Sequence, residues 1–154
     1  MLTLDTPYDL EAHVGQVLGQ TDWVTITQEM INDFARISGD NNWIHIDVER
    51  ARRELPDGKT IAHGMLTFSL MSGMGADIVQ VRRRGRGINY GSNKVRFTSP
   101  VQAGARIRLE RRLLAFDRME GGVRLTYGNT MHCEGQERPV MVAETLNLMY
   151  EEGK

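Results

Sequence analysis

The spacing of apolar residues changes several times along the chain, and each change marks an element. Val17, Leu18, Trp23, Val24 and Ile26 alternate irregularly with polar residues, which predicts extended backbone from Val17 to Ile26. The period then lengthens: Met30, Ile31, Phe34, Ala35 and Ile37 fall on one face at helical spacing. Thr25 or Thr27 can cap this helix, and Gly39 ends it. A loop carrying Asp40 and His45 follows. Asp47 can cap a short helix with Val48, Ala51 and Leu55, which Pro56-Asp57-Gly58 stops.

From Gly64 to about Val79 the pattern is different. Met65, Leu66, Phe68, Leu70, Met71, Met74, Ile78 and Val79 do not keep to one stripe. A helix that is apolar nearly all round belongs in an interior. Ser69, Ser72, Gly73 and Gly75 would let other backbone approach it closely. The remainder reads as strands. Val95 and Phe97 alternate with Lys94, Arg96 and Thr98; Ile107 and Leu109 alternate with charged neighbours; Val123, Leu125, Tyr127, Asn129 and Met131 share one face. Val140 to Tyr150 is a last strand. The turns fall at Pro100–Gly104, Gly121-Gly122 and Glu134–Pro139. Four consecutive strands in a meander, flanking one apolar helix, predict an α+β fold: a curved antiparallel sheet wrapped around a buried central helix. Residues 1–154 fit one domain with a sizeable core.

The chemistry concentrates in Ser38-Gly39-Asp40-Asn41-Asn42-Trp43-Ile44-His45. Asp40 and His45 are five residues apart, which on a straight helix would point them about 140° from each other. They can meet only if the backbone leaves the helix, and Gly39 permits that. An Asp beside a His in a loop supplies a proton acceptor, a proton donor and a place to hold one water. Taken singly, each has a plainer role. Asp40 could make only an Asx hydrogen bond in a turn, and His45 could be a half-buried structural histidine.

Composition narrows the field. With a net charge of -1 the chain has no global field favouring nucleic acid or an anionic membrane. No apolar run approaches the roughly 18 residues needed to span a bilayer, and Met1 to Thr6 lacks the features of a secretory signal. Cys133 is the only cysteine and cannot form an internal disulfide, which is consistent with a reducing cytoplasm. Asp40, His45, Asp47 and His63 are metal-ligand types, but ligand spacings such as His-x-x-x-His and a Cys cluster are absent, so no metal is expected.

Three segments resemble the MaoC-like dehydratases, relatives of the (R)-specific enoyl-CoA hydratases with the hotdog fold. Ala35 to His45 is similar to the family's hydratase motif, in which Ser-Gly-Asp-x-Asn-Pro-Ile-His is typical. Ile61-Ala62-His63-Gly64-Met65-Leu66 resembles the start of the family's central helix. Val95-Arg96-Phe97, with Pro100-Val101 and Gly104, resembles the strand and turn after that helix. One position departs: the motif's usual Pro is Trp43 here, a version that resembles a nodulation-protein-N-like subgroup. Proline would fix φ and bias its predecessor toward extended backbone, and Trp43 does neither. Its bulk is expected to anchor the loop in the core or to line the acyl pocket.

The resemblance implies hydration of a trans-2-enoyl thioester, or dehydration of the 3-hydroxyacyl thioester. Asp40 would act as the main base, and His45 as its partner in holding the water and moving the proton. Gly64 would place backbone N–H groups at the start of the central helix against the thioester oxygen. Those N–H groups lack intrahelical acceptors and sit at the positive end of the helix dipole. Such oxyanion stabilisation is typically worth roughly 3–4 kcal/mol per donor.

Asn42 and His63 are candidate substrate contacts, each with a structural alternative as a loop-stabilising amide and a packing histidine. Arg82 and Arg84, within the run Arg82-Arg83-Arg84 and Arg86, together with Lys94, are read as a clamp for coenzyme A phosphates or as a solvated loop. The substrate is expected to be an acyl-CoA or acyl-carrier-protein thioester, with coenzyme A present only as part of it and no separate cofactor. A homodimer is expected, because a single curved sheet has open edges. The rivals are a hotdog acyl-CoA thioesterase and a non-catalytic acyl-CoA-binding hotdog protein. A thioesterase would carry its carboxylate on the central helix, where only Asp77, near the far end, is available.

Overall fold

A computed structural model describes residues 1–153. Three long strands, β6 (Arg106–Met119), β7 (Gly122–Cys133) and β8 (Met141–Glu151), form the middle of an antiparallel sheet. Period-two alternation aims Val123, Leu125, Tyr127, Asn129, Met131 and Cys133 at the interior and leaves their neighbours outside. Strand β2 (Val17–Gln20) and the two-residue β3 (Val24–Thr25) both pair with β6. Strand β5 (Arg84–Phe97) pairs with β8, so the order is β2-β6-β7-β8-β5. The expected four-strand meander is therefore corrected. Only β6, β7 and β8 are sequential neighbours, and β5 crosses to the far side of β8. Alternation along single strands cannot distinguish these pairings, because each strand presents the same apolar face in either order.

The central helix α4 (Gly64–Ala76) lies on the concave side. Leu66, Thr67, Met71, Met74 and Gly75 are buried, and Leu66, Met71 and Met74 join Ile107, Leu109, Met131 and Met141 in one core. The helix is not buried all round, however. Met65, Ser69, Ser72 and Gly73 are exposed, because within one chain only the sheet side offers a partner. The helix also ends earlier than its apolar pattern suggests. Asp77 caps it, and Val79 belongs to β4 (Val79–Val81), which pairs in parallel with β1 (Leu2–Leu4). A 3-10 helix, Pro7–His13, buries Leu10 in a second cluster with Leu113, Val123 and Leu125. Neither β1 nor this helix has a strong periodic signal, since each is too short to show one.

Helix α1 (Gln28–Ser38) is capped by Thr27, whose side chain accepts the Met30 N–H. It ends at Gly39 in the left-handed region, φ 78°. No neighbour would meet a Cβ there, so the conformation alone demands glycine. Gly39→Ala is expected to cost about 1–2 kcal/mol, read as a lower denaturant midpoint at unchanged slope. An unaltered midpoint would show that the helix end relaxes freely.

Candidate active site

After Gly39 three residues have no regular structure, with the Asn41 N–H bonded back to the Gly39 carbonyl at 3.1 Å, and the chain then makes one helical turn, α2 (Trp43–Ile46). Asn42 caps that turn through Oδ1, which accepts the Ile44 N–H at 3.4 Å. His45 therefore sits on a helical turn rather than in a loop, and the break at Gly39 lets it face back toward Asp40. Helix α3 (Val48–Glu54) follows, with Asp47 accepting the Arg50 N–H as its cap. Gln28, at the start of α1, secures the turn from behind. Its Nε2 donates to the His45 carbonyl at 2.8 Å, and its Oε1 accepts from the buried Thr60 hydroxyl. Nothing in the sequence pattern marks Gln28 or Thr60, because the contact spans 32 residues.

The bonding partners fix what each ring nitrogen can do. His45 Nδ1 lies 2.6 Å from the Ile61 carbonyl oxygen. A carbonyl only accepts, so Nδ1 carries a proton and Nε2 is the nitrogen left for chemistry. By the same logic His63 Nε2 donates to the Asp40 backbone carbonyl at 2.9 Å. His63 Nδ1 is buried without a partner. The two imidazoles stack with centroids 3.8 Å apart and planes 28° from parallel, and the Phe34 ring packs tilted against His63 at 5.0 Å. His45 and His63 are both buried, whereas Asp40 is exposed.

Each of Asp40, His45 and His63 offers a side-chain N or O atom within 4.8 Å of the others. No direct hydrogen bond joins the Asp40 carboxylate to His45; its one backbone donor is the Asn42 N–H at 3.3 Å. The gap suits one bridging water between two polar groups. It suits a metal poorly. A metal ion sits in the plane of each imidazole that holds it, and two nearly parallel stacked planes do not converge at bonding distance.

The three groups open onto a cleft of about 450 Å³ that also touches Gly64, Met65 and Phe97. A second hollow of about 330 Å³, running along Ile61 to Thr67 toward Pro100, shares His45, Gly64 and Phe97 with it. Phe97 thus stands between the two hollows. A Cβ on Gly64 would come within 2.8 Å of the Phe97 ring. The glycine is required by this ring as well as by any ligand at the helix terminus.

The remaining sequence candidates fall elsewhere. Asn42 acts as the cap of α2. Trp43 does not line the cleft: it is half-buried beneath Arg50, whose Cζ is 4.0 Å from the ring centroid. Arg82 is paired with Asp5 at 3.0 Å, and Arg84 begins β5. Both lie beyond the C-terminal end of α4, whose thirteen residues put about 20 Å between them and Gly64. Lys94 pairs across to Glu144 on the outer face of the sheet, opposite α4. The structure does not bring these three cations to the cleft of their own chain. A cluster in sequence is not a cluster in space here, because strand alternation and helix length separate its members.

Residues 9–130 match a family described as the MaoC like domain, and the chain belongs to that family. It is similar to the 3-hydroxyacyl-thioester dehydratase Z of Mycobacterium tuberculosis, 43% identical over 95% of this chain and 97% of that protein. It is 39% identical to nodulation protein N of Rhizobium leguminosarum, over 92% of this chain and 89% of that one. Among solved structures, the unliganded R-hydratase PhaJ1 of Pseudomonas aeruginosa aligns with a TM-score of 0.69 and 27% identity, over 90% of this chain and 83% of that one. The fold is the hotdog fold, and the protein is an enzyme of the hydratase and dehydratase class.

The contact between Gly64 and Phe97 can be tested without substrate. Gly64→Ala is expected to lower the melting temperature by several degrees, the size expected for about 1–3 kcal/mol of overpacking. Phe97→Ala in the same chain should restore part of the loss. Additive losses in the double variant would place the added methyl group away from the ring.

Proposed function

We propose that the protein hydrates trans-2-enoyl thioesters to (R)-3-hydroxyacyl thioesters, and catalyses the reverse dehydration, with Asp40 and His45 sharing one water. The supporting observation is that Asp40 and His45 bring a carboxylate oxygen and a ring nitrogen within 4.8 Å of each other without a direct hydrogen bond, in the cleft that also touches Gly64 at the N-terminus of α4. Asp40 takes a proton from the water as its oxygen attacks C3. His45 gives a proton from Nε2 to C2, while its Nδ1–H stays bonded to the Ile61 carbonyl and steadies the imidazolium. The proton on Asp40 then returns to His45 through the next water, which resets the pair. The N–H groups of Gly64 and Met65, in the first turn of α4, have no intrahelical acceptor. They receive the thioester oxygen as it becomes an enolate. His63 is a positioning residue: it holds the backbone of Asp40 and stacks on His45.

The names of the relatives support an acyl thioester as substrate. No metal or separate cofactor is part of this mechanism. The thioesterase alternative loses support, because α4 carries no carboxylate and Asp77 only caps its far end. A cytoplasmic location is part of the proposal, supported by the single cysteine, Cys133, which is free.

A homodimer is part of the proposal. Strand β5 is an edge strand along which Ile88 and Tyr90 are exposed, and the adjoining face of α4 is uncovered at Met65. An exposed edge strand of 14 residues offers a free row of backbone groups to a partner. Sedimentation at micromolar concentration should give twice the mass of the chain; a monomer would remove this part of the proposal.

Crotonyl-CoA hydration tests the mechanism. Asp40→Asn and His45→Gln should each lower kcat by about 100- to 10,000-fold, with the fold intact by circular dichroism. Because both act on one water, the double variant should be scarcely slower than the slower single. Near-normal kcat in either single variant would sink the assignment.

A further inference from the structure

Away from the catalytic cleft, Arg111 is a charged side chain without a counterion. It points from β6 into the interior beneath α4, next to Tyr127 and Asn129 of β7. Among the described residues no carboxylate lies within ion-pair distance of it. Burial pushes the guanidinium below its ordinary pKa, opposed only by Tyr127. That phenol supplies no charge at neutral pH, because burial pushes it up to about 12. An ion withdrawn from water and left unpaired is costly. The helix is shaped around it, too: a Cβ on Gly75 would overlap Arg111 Nη1.

The guanidinium is only partly satisfied. Nε donates to Asn129 Oδ1 at 2.8 Å, and Nη2 reaches the Met71 carbonyl only at 3.5 Å. Arg111 lines a cavity of about 170 Å³ between α4, β5 and β8. Other polar groups around it are arranged as donors. Thr145 Oγ1 already accepts from Asn129 Nδ2 at 2.9 Å, which leaves its O–H to donate. Ser72 Oγ accepts from Asn89 Nδ2 at 3.1 Å, and Asn89 Oδ1 accepts in turn from Asn147 Nδ2 at 2.7 Å. The Ser72 O–H is likewise left to donate. Phe68, Met71 and Leu146 supply an apolar side. No acidic residue lines the cavity.

We propose that this cavity is a carboxylate-binding site. Arg111 pairs with the carboxylate through its fork of N–H donors, and the Ser72 and Thr145 hydroxyls supply further hydrogen bonds. The apolar side covers a short aliphatic chain. A cavity of about 150 Å³ accepts benzene, so a ligand of about six heavy atoms, such as butyrate, fits. The carboxylate is that of a free short-chain acid or of the far end of an acyl group. The inference stands apart from the Asp40 and His45 mechanism, since binding is read without turnover.

The test is a titration of the intact protein with butyrate, following the Arg111 Nε–H resonance by ¹⁵N NMR and the melting temperature. The expected result is a saturable shift of that resonance and a rise in melting temperature. Neither should appear with butyramide or with chloride at equal ionic strength. Arg111→Lys should weaken binding about tenfold or more, because one ammonium cannot reproduce the fork. Ser72→Ala, on an exposed position, should weaken it several-fold and keeps the test open if Arg111→Lys fails to fold. Two thioesters distinguish the sources. If Arg111→Lys raises KM for trans-2-hexenedioyl-CoA but not for trans-2-hexenoyl-CoA, the site takes the far end of an acyl group. If both KM values hold while butyrate binding is lost, it takes a free acid. No response to butyrate, or an equal response to butyramide, overturns the proposal. So does dissociation of an Arg111→Lys dimer when the wild type ignores butyrate, which would assign the cation to a subunit contact.

Discussion

The hydrogen bond from His45 Nδ1 to the Ile61 carbonyl oxygen joins the two segments on which the site depends. One is the turn after α1; the other is the stretch that leads into α4. Around it the Ile61 N–H donates to the Ile44 carbonyl at 3.0 Å, and the Ala62 N–H donates to the Val101 carbonyl at 2.7 Å. Together these bonds hold the start of α4 against the histidine turn. Without them the imidazole would lose both its tautomer and its aim. His63 makes the reciprocal tie, from the α4 side back to the Asp40 carbonyl. The two histidines therefore use one nitrogen each to hold the other segment's backbone, and both stacked rings line the cleft.

The sheet's role in this is indirect. Its concave face buries Leu66, Met71 and Met74 of α4, which sets the helix axis. The helix N-terminus then emerges beside Phe97 at the end of β5 and the His45 turn. Rigid elements thus place the N–H groups of α4, while Asp40 and His45, the proposed proton-handling groups, sit on short turns tied to the α4 side. That division suits acid-base chemistry, in which donors aimed at a developing charge must not reorganise. It also explains why Gly39 and Gly64 carry more consequence than their size suggests. One lets the chain leave a helix in the left-handed region, and the other lets Phe97 lie flat against the start of the next helix.

Much of this was legible in the sequence. The periodicity of α1, the capping residues Thr27 and Asp47, the glycine at position 39 and the start of α4 at Gly64 all lie where local chemistry puts them. The approach of Asp40 to His45 was readable because the helix break at Gly39, just before them, is a local event. Long-range facts were not. Strand order depends on which edge β5 reaches, and nothing local encodes it. The Gln28 and Thr60 support for His45, and the Phe97 ring over Gly64, each join residues more than thirty positions apart. The cationic run from Arg82 looked like part of the site only because distance along the chain hid the length of α4. The half-buried Arg111 looked like one more charge alternating with apolar residues on β6, and only the fold places it under the helix.

The central claim is that one water, held between Asp40 and His45 on a single side of the cleft, provides the hydroxyl while the same pair delivers the proton. The most direct measurement is the stereochemistry of crotonyl-CoA hydration in D₂O, read from the vicinal coupling in the proton spectrum of the 3-hydroxybutyryl product. The account predicts syn addition, with the hydroxyl on C3 and the deuterium on C2 entering from the same face to give the (R) alcohol. Anti addition, or deuterium scrambled between both C2 positions at early turnover, would require the proton to come from elsewhere, and would contradict it.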